Sequence, residues 1–237
     1  MPGPREVKTL LYEQVARIGK AVASPKRLEL IDLLCQGEKT VDALAAHAGQ
    51  SIKLASAHLK ALKAARLVES RKDGKYVYYR LADDGVSALW VTLRSLAEER
   101  LLELKMVLQQ FLAHPEDLAP LDRRAILGRA RQGEILVLDV RPDDEYESGH
   151  LPYARSLPLA ELKKRLAELP KDRQIVAYCR GPFCMMAVEA VALLRREGFR
   201  AVRLGDGVAE WMAAGLPIED PKHGRRAAPR RARVGSS

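Results

Sequence analysis

Two of the three cysteines in this 237-residue chain stand five positions apart, in the stretch "IVAYCRGPFCMMAVEA" over residues 175–190. An apolar run ends at Cys179, Gly181 and Pro182 supply a bend, and a second apolar run with helical spacing follows Cys184. A cysteine at the carboxyl end of a buried strand, just before a helix, lies where open α/β sheets place ligands. The N–H groups of such a turn favour a thiolate, which lowers the thiol pKa below the roughly 8.5 of a free cysteine. A sulfur anion carried on Cys179 would be stabilised in the same way, and Arg180 adds positive charge. The second thiol, Cys184, is placed where it could attack a sulfur–sulfur bond on Cys179, expelling the outer sulfur and leaving a disulfide. Phe183 shields the outer side of the loop. The plainer alternatives are a buried, inert Cys179 at a strand end and a Cys184 that merely packs at a helix start. Neither a metal site nor a cofactor is expected.

The elements needed to hold this loop can be read on either side of it. "EILVLDV" gives a buried strand to Val140, with a short helix around 143–148 and Gly149-His150 after it. "LAELKKRLAEL" reads as a helix, "QIVAYC" as a strand, "MMAVEAVALLRREGF" as a helix, "AVRLGD" as a strand and "GVAEWMAAGLPI" as a helix. Strands alternating with helices make a parallel α/β sheet. Asp139 and Arg141, at the end of the first strand, are read as an ion pair bracing the loop. "LDVRPDDEYESGHLPYA", "CRGPFC" and "VRLGDGVAEWMAAGLP" together resemble the rhodanese, or sulfurtransferase, domain over residues 121–220. The resemblance implies a persulfide on Cys179. It also marks departures: Tyr153 stands where a small residue is usual, Asp206 where glycine is typical, and Cys184 where many thiosulfate-using domains carry a base that binds the anionic donor.

The front of the chain is different in kind. Helical spacing of apolar residues runs over 5–22, and "SPKRLELIDLLCQG" offers Ser24 as N-cap, Pro25 at the first helical position and Gly37 as a stop. A short helix from Thr40 to His47, a turn through Gly49, and a helix capped by Ser51 running to Ala65 form a helix-turn-helix pattern. Two alternating strands then flank Asp73-Gly74, a strong hairpin signal. A helix-turn-helix followed by a basic hairpin is a winged helix. Residues 83–113 read as one long helix of roughly 45 Å, with Trp90, Leu93, Ala97, Leu101, Leu104, Leu108 and Phe111 as a continuous seam. In order and content, residues 5–113 resemble the ArsR-type winged-helix repressors of bacteria. That resemblance implies a homodimer, paired through the 83–113 helix and the first helix, on double-stranded DNA with a palindromic operator. Ser51, Lys53, Ser56 and His58 are placed to meet base edges or phosphates; Lys60 and Lys63, and Arg71, Lys72 and Lys75 on the wing, to meet backbone. Ile52 replaces a usual polar residue. Cys35 lacks a neighbouring thiol, so it reads as a small buried apolar residue, and His47 and His114 as surface residues.

Charge follows the same division. The overall net charge is +9, but residues 1–114 carry 18 Lys/Arg against 13 Asp/Glu, whereas residues 115–220 carry 16 against 18. A basic front suits a polyanion; a near-neutral middle suits other work. Three cysteines so spaced do not build a secreted disulfide scaffold, and no apolar run approaches the roughly 18 residues of a membrane span. A cytoplasmic protein with no membrane partner is expected. The organisation predicted is a winged-helix domain over 1–113, a linker over 114–120, a rhodanese-like domain over 121–220 and a basic tail over 221–237. Three functions are compatible with it. The first is a DNA-binding repressor whose second domain carries sulfane sulfur and senses reactive sulfur, with a sulfane-sulfur donor or thiol acceptor as partner. The second is a sulfurtransferase whose DNA-binding domain only autoregulates its operon. The third is an arsenic or oxidant resistance protein using the two loop thiols.

Overall fold

Ser51 and Thr40 set the first unit's architecture. The Thr40 hydroxyl accepts from the Ala43 N–H at 3.1 Å and starts α3 (Val41–His47); the Ser51 hydroxyl accepts from the Leu54 N–H at 3.3 Å and starts α4 (Ile52–Ala64). Both satisfy an orphan donor of the first helical turn. The turn between them uses Gly49 at φ 58°, a left-handed conformation that glycine adopts without strain. The computed structural model describes residues 2–111, 118–119, 122–220 and 224–226, in two compact units, one ending at Trp90 and the other beginning at Val91.

In the first unit α1 (Pro4–Val22) and α2 (Pro25–Leu34) precede β1 (Lys39–Thr40), α3 and α4, and then come β2 (Val68–Asp73) and β3 (Tyr76–Leu81). The sheet is antiparallel in the order β1-β3-β2, with Asp73 opposite Tyr76. The hairpin loop is therefore Gly74-Lys75, one residue later than the sequence suggests. Its positive φ is at Gly74, the first loop position, where a type II′ turn takes glycine. Ser24 stands at the N-cap of α2 with extended backbone, but its side chain makes no capping bond. The core is built from Leu30, Ile31, Leu44, Leu59 and Leu62, all essentially inaccessible, together with Trp90. Trp90 donates its indole N–H to Asp32 at 2.7 Å, so it belongs to this core and not to an external seam.

The expected single helix over 83–113 is two: α5 (Asp84–Arg100) and α6 (Leu102–Phe111). They meet at Leu101, which still donates to Ala97 O (2.8 Å) and accepts from Lys105 N–H (3.2 Å). The second unit continues with α7 (Arg123–Arg131), capped by Asp122 on the Ala125 N–H, β4 (Ile135–Asp139), α8 (Asp143–Ser148) and β5 (Ala154–Ser156). After α9 (Leu159–Leu162) come β6 (Gln174–Tyr178), α10 (Met186–Arg196), β7 (Ala201–Arg203), α11 (Val208–Ala213), β8 (Ile218–Asp220) and β9 (Gly224–Arg226). The main sheet is parallel throughout, ordered β5-β4-β6-β7, so β6 is central and its carboxyl end opens at the middle of the sheet. The two central strands, β4 and β6, read as near-continuous apolar runs because both faces are covered. The helix expected across 159–169 shortens to α9 and a 3-10 turn at Leu166–Glu168. So short a segment has little helical stability of its own; a bend lets both Leu162 and Leu169 reach the core. No described helix is long and apolar enough to cross a membrane.

Candidate functional site

Cys179 follows the last residue of β6 and is 2% exposed. Its thiol donates to the Cys184 carbonyl at 3.5 Å, and Cys184 N–H donates to Gly181 O at 3.1 Å, so Arg180–Phe183 fold into a tight turn whose ends meet. Gly181 takes φ 129°. The N–H groups of Gly181 and Ala187 face the Cys179 sulfur and favour its thiolate, as the turn suggests. Burial outweighs them. Desolvation first, then the hydrogen bond and charge of Cys184, push the Cys179 thiol well above its ordinary range. Its partner moves the other way, to about 7, because the Cys179 thiol hydrogen-bonds to it, the Arg180 and Met186 N–H groups point at it and the Arg180 charge is near. The pair gives up a first proton easily, from the more exposed Cys184, and a second with difficulty. The pKa depression expected at Cys179 is thus found at Cys184.

Arg180 itself is engaged. Its guanidinium forks onto the fully buried Glu145 of α8, with Nη2–Oε1 at 2.8 Å and Nε–Oε2 at 3.0 Å. Below the loop, Asp139 and Arg141 form a completely buried pair. Arg141 Nη2 lies 2.6 Å from Asp139 Oδ2 and also donates to Gly149 O at 2.8 Å, while Arg141 N–H donates to Asp139 Oδ1. The Tyr178 hydroxyl donates to Asp139 and accepts from Leu151 N–H, tying the residue before Cys179 into the same network. Phe183 remains 39% exposed at the turn's outer edge. Gly207 packs directly on the loop: a Cβ there would stand 2.7 Å from the Cys179 carbonyl oxygen. Its N–H donates to Glu210 Oε2 at 2.6 Å.

Sequence reasoning missed Glu145, Tyr178 and Glu210. Gly-x-x-Glu before an apolar run was the available signal for Glu210, whose carboxylate reaches back to the N-cap N–H. Glu145 stands with Tyr146 in the stretch that resembles the rhodanese domain, which marks the position without giving it a role, and Tyr178 gave no signal, because only tertiary packing brings them to the loop.

The second candidate site lies on α4 and the wing. Ser51, Ile52, Lys53, Leu54 and Lys60 are exposed, and Ser56 and His58 half-buried, while Ala55, Leu59 and Leu62 turn into the core. Lys63 donates to Ser70 Oγ at 2.7 Å. On the wing Lys72 and Lys75 are exposed. Arg71 is held by Glu38 at 2.6 Å and Asp73 at 3.0 Å and stacks over Tyr78. It must exchange those carboxylates to reach a phosphate. His47 is exposed and Cys35 half-buried against the core; His114 lies outside the described residues, as do most of the linker and the tail beyond residue 226.

Residues 24–70 match the bacterial regulatory protein, arsR family, and residues 123–214 match the rhodanese-like domain. Over 220 residues the chain is 45% identical to the HTH-type transcriptional regulator Rv0324 of Mycobacterium tuberculosis, a match covering 93% of this chain and 96% of that one. The chain belongs to the ArsR family. This ArsR-family regulator carries a rhodanese-like domain fused behind its winged helix. The fused half is 36% identical over 90 residues to a sulfurtransferase of Allochromatium vinosum, covering 38% of this chain and 82% of that protein. The front half is 44% identical to the homodimeric winged helix-turn-helix DNA-binding fragment Mb0332 of Mycobacterium bovis, covering 44% of this chain and 95% of that one at a TM-score of 0.40.

Proposed function

We propose that this ArsR-family regulator is a transcriptional repressor that binds a palindromic operator as a homodimer, and that its rhodanese-like domain reports reactive sulfur. The observation that carries the reading is the thiol pair in the turn after β6, held in the same chain as an exposed recognition-helix face. In the proposed chemistry Cys179 passes its proton to the neighbouring Cys184 thiolate and attacks the terminal sulfane sulfur of a polysulfide; the new S–S bond on Cys179 forms, the S–S bond to the rest of the polysulfide breaks, and the polysulfide departs one sulfur shorter. The Cys184 thiolate then attacks Cys179 Sγ; the Cys179–Cys184 bond forms, the S–S bond to the outer sulfur breaks, and hydrosulfide departs. The two thiols are oxidised and the sulfane sulfur is reduced to sulfide.

Two features favour a sensor over a thiosulfate-consuming enzyme. Arg180 is committed to Glu145, so the turn's own cation is not offered to an anionic donor. Cys184 takes the place of a donor-binding base. Dimerisation is supported by apolar surface on α1 (Leu10, Leu11, Tyr12, Val15) and on and beside α6 (Leu101, Leu102, Met106, Val107), all at least half exposed. Ser51, Lys53, Ser56 and His58 are assigned to the major groove, Lys60 and Lys63 to phosphates, and Arg71, Lys72 and Lys75 to the flanking backbone. The domain limits proposed are 1–113, 114–120, 121–220 and 221–237.

The test uses an operator selected by the full-length protein from random duplexes. Polysulfide is expected to change its affinity by about tenfold or more, and Cys179→Ser to abolish that change. Unchanged operator affinity, with Cys179 shown by mass to be modified, would refute the sensor.

A further inference from the structure

The rhodanese-like match begins at residue 123, yet one side chain that completes the surroundings of the sulfur loop comes from well upstream. Arg94 lies on the part of α5 that belongs to the second unit, and only 4% of it is exposed. Its Nη2 is 2.9 Å from Glu210 Oε1, its Nε donates to Glu98 at 3.1 Å, and its guanidinium carbon sits 5.6 Å from the centre of the Phe183 ring. Glu210 is equally buried. Its other oxygen holds the Gly207 N–H, and that same oxygen would meet a Cβ on Gly181 at 2.8 Å. One guanidinium therefore touches both the carboxylate beneath the turn and the aromatic ring at its edge.

The electrostatics require such a cation. A buried carboxylate beside a loop that must carry a thiolate or persulfide places two like charges in a medium that screens them poorly. Left alone, the carboxylate charge opposes a thiolate in the loop. A desolvated guanidinium on the carboxylate offsets that charge, and its planar fork and aromatic stacking suit the position better than an ammonium would.

We propose that Arg94 is a positioning residue of the sulfur loop, acting through Glu210 and Phe183, so that the support of the loop reaches back to α5, ahead of the rhodanese-like domain proposed over 121–220. The inference takes its meaning from the proposed sulfur chemistry, but its test does not depend on that chemistry.

Iodoacetamide is used as the probe on the full chain. Alkylation of Cys179 and Cys184 is followed by peptide mass across neutral pH in the wild type, Arg94→Met, Arg94→Lys and the double variant Arg94→Met with Glu210→Gln. Arg94→Met is expected to move the alkylation midpoint up by about half a pH unit or more, because a nearby positive charge is lost. Arg94→Lys restores the midpoint at least in part, and so does the double variant, where the uncompensated carboxylate is gone. If Arg94→Met does not fold, the lysine and double variants still decide: a wild-type midpoint in both supports the charge balance, and a displaced midpoint in both overturns it. An Arg94→Met protein with a wild-type midpoint also overturns the inference. Polysulfide loading is measured alongside. A wild type that takes up no sulfur sinks the sensor reading and leaves the Arg94 result standing on its own.

Discussion

Replacing Asp139 by Asn removes the carboxylate that pairs with the fully buried Arg141. The guanidinium has no route to water, being inaccessible along with its partner. Removing one partner of a buried ion pair costs about 3–5 kcal/mol, because the charge left behind is uncompensated. Asparagine keeps an acceptor for either the Arg141 N–H or the Tyr178 hydroxyl, which meet different oxygens of Asp139, and turns an amide NH2 toward the other, so the whole of that range applies. For a unit of this size, 1 kcal/mol moves the midpoint by about 2–4 °C, so the rhodanese-like unit should unfold about 6–20 °C lower. Calorimetry of the full-length protein reads this directly, with the transition of the winged-helix unit as internal reference. Asp139→Leu combined with Arg141→Met should recover most of the loss, since neither charge then remains to be compensated. A single-variant shift below about 2 °C would show that the guanidinium finds other compensation, and the bracing role assigned to the pair would be wrong.

Four further outcomes follow from the structure. Cys179→Ser should take up no sulfane sulfur, whereas Cys184→Ser should accumulate a persulfide on Cys179 and form no disulfide; mass spectra of the two variants settle it. Because resolution needs the Cys184 thiolate, disulfide formation should rise about tenfold per pH unit until that thiol is ionised and then level off. A rate flat across neutral pH removes Cys184 from the chemistry. Glutamate at both Leu101 and Leu104 should give a monomer in sedimentation and lose specific operator binding by at least about tenfold, while a charged double variant that stays dimeric rules out this seam. Lys60→Ala should weaken binding to every sequence about equally and lessen its salt dependence, whereas Ser56→Ala or His58→Ala should change the ranking of operators; an unchanged ranking rejects the groove assignment.

Much of the fold was legible because it is local. Caps at Thr40 and Ser51, glycines at 49 and 74 and the two periods of apolar residues mark the winged helix, and the βα alternation marks the parallel sheet. What escaped is what local pattern does not encode. The two-residue β1 and the three-residue β5 and β8 are too short for alternation to register, and they exist because a neighbouring strand offers them an edge. The 83–113 helix looked continuous because, after Gly85 in its first turn, neither Gly nor Pro interrupts it. Trp90 fitted an external seam by spacing, yet its N–H needed an acceptor and found Asp32 inside the core. At the sulfur site the loop was evident from two cysteines and a Gly-Pro bend. Which thiol ionises first was not, because helix-start N–H groups argue for Cys179 while burial, invisible in one dimension, decides for Cys184. The grip of Glu145 on Arg180 is likewise made by tertiary packing alone.

The unequal exposure of the two sulfurs bears on how long a signal lasts. Once a Cys179–Cys184 disulfide has formed, an external reductant meets the Cys184 sulfur first, since Cys179 is almost wholly covered. Attack there expels Cys179 as the leaving group, and thiolates that are poorly stabilised leave slowly. The same burial that raises the Cys179 thiol therefore slows erasure. On the proposed chemistry the device behaves as a latch and not as a gauge: a brief exposure to sulfane sulfur is remembered until a thiol reductant works its way in. The decay of the operator response after polysulfide is withdrawn, timed against glutathione concentration, measures that memory, and a response that vanishes as fast as it arose would show that there is none.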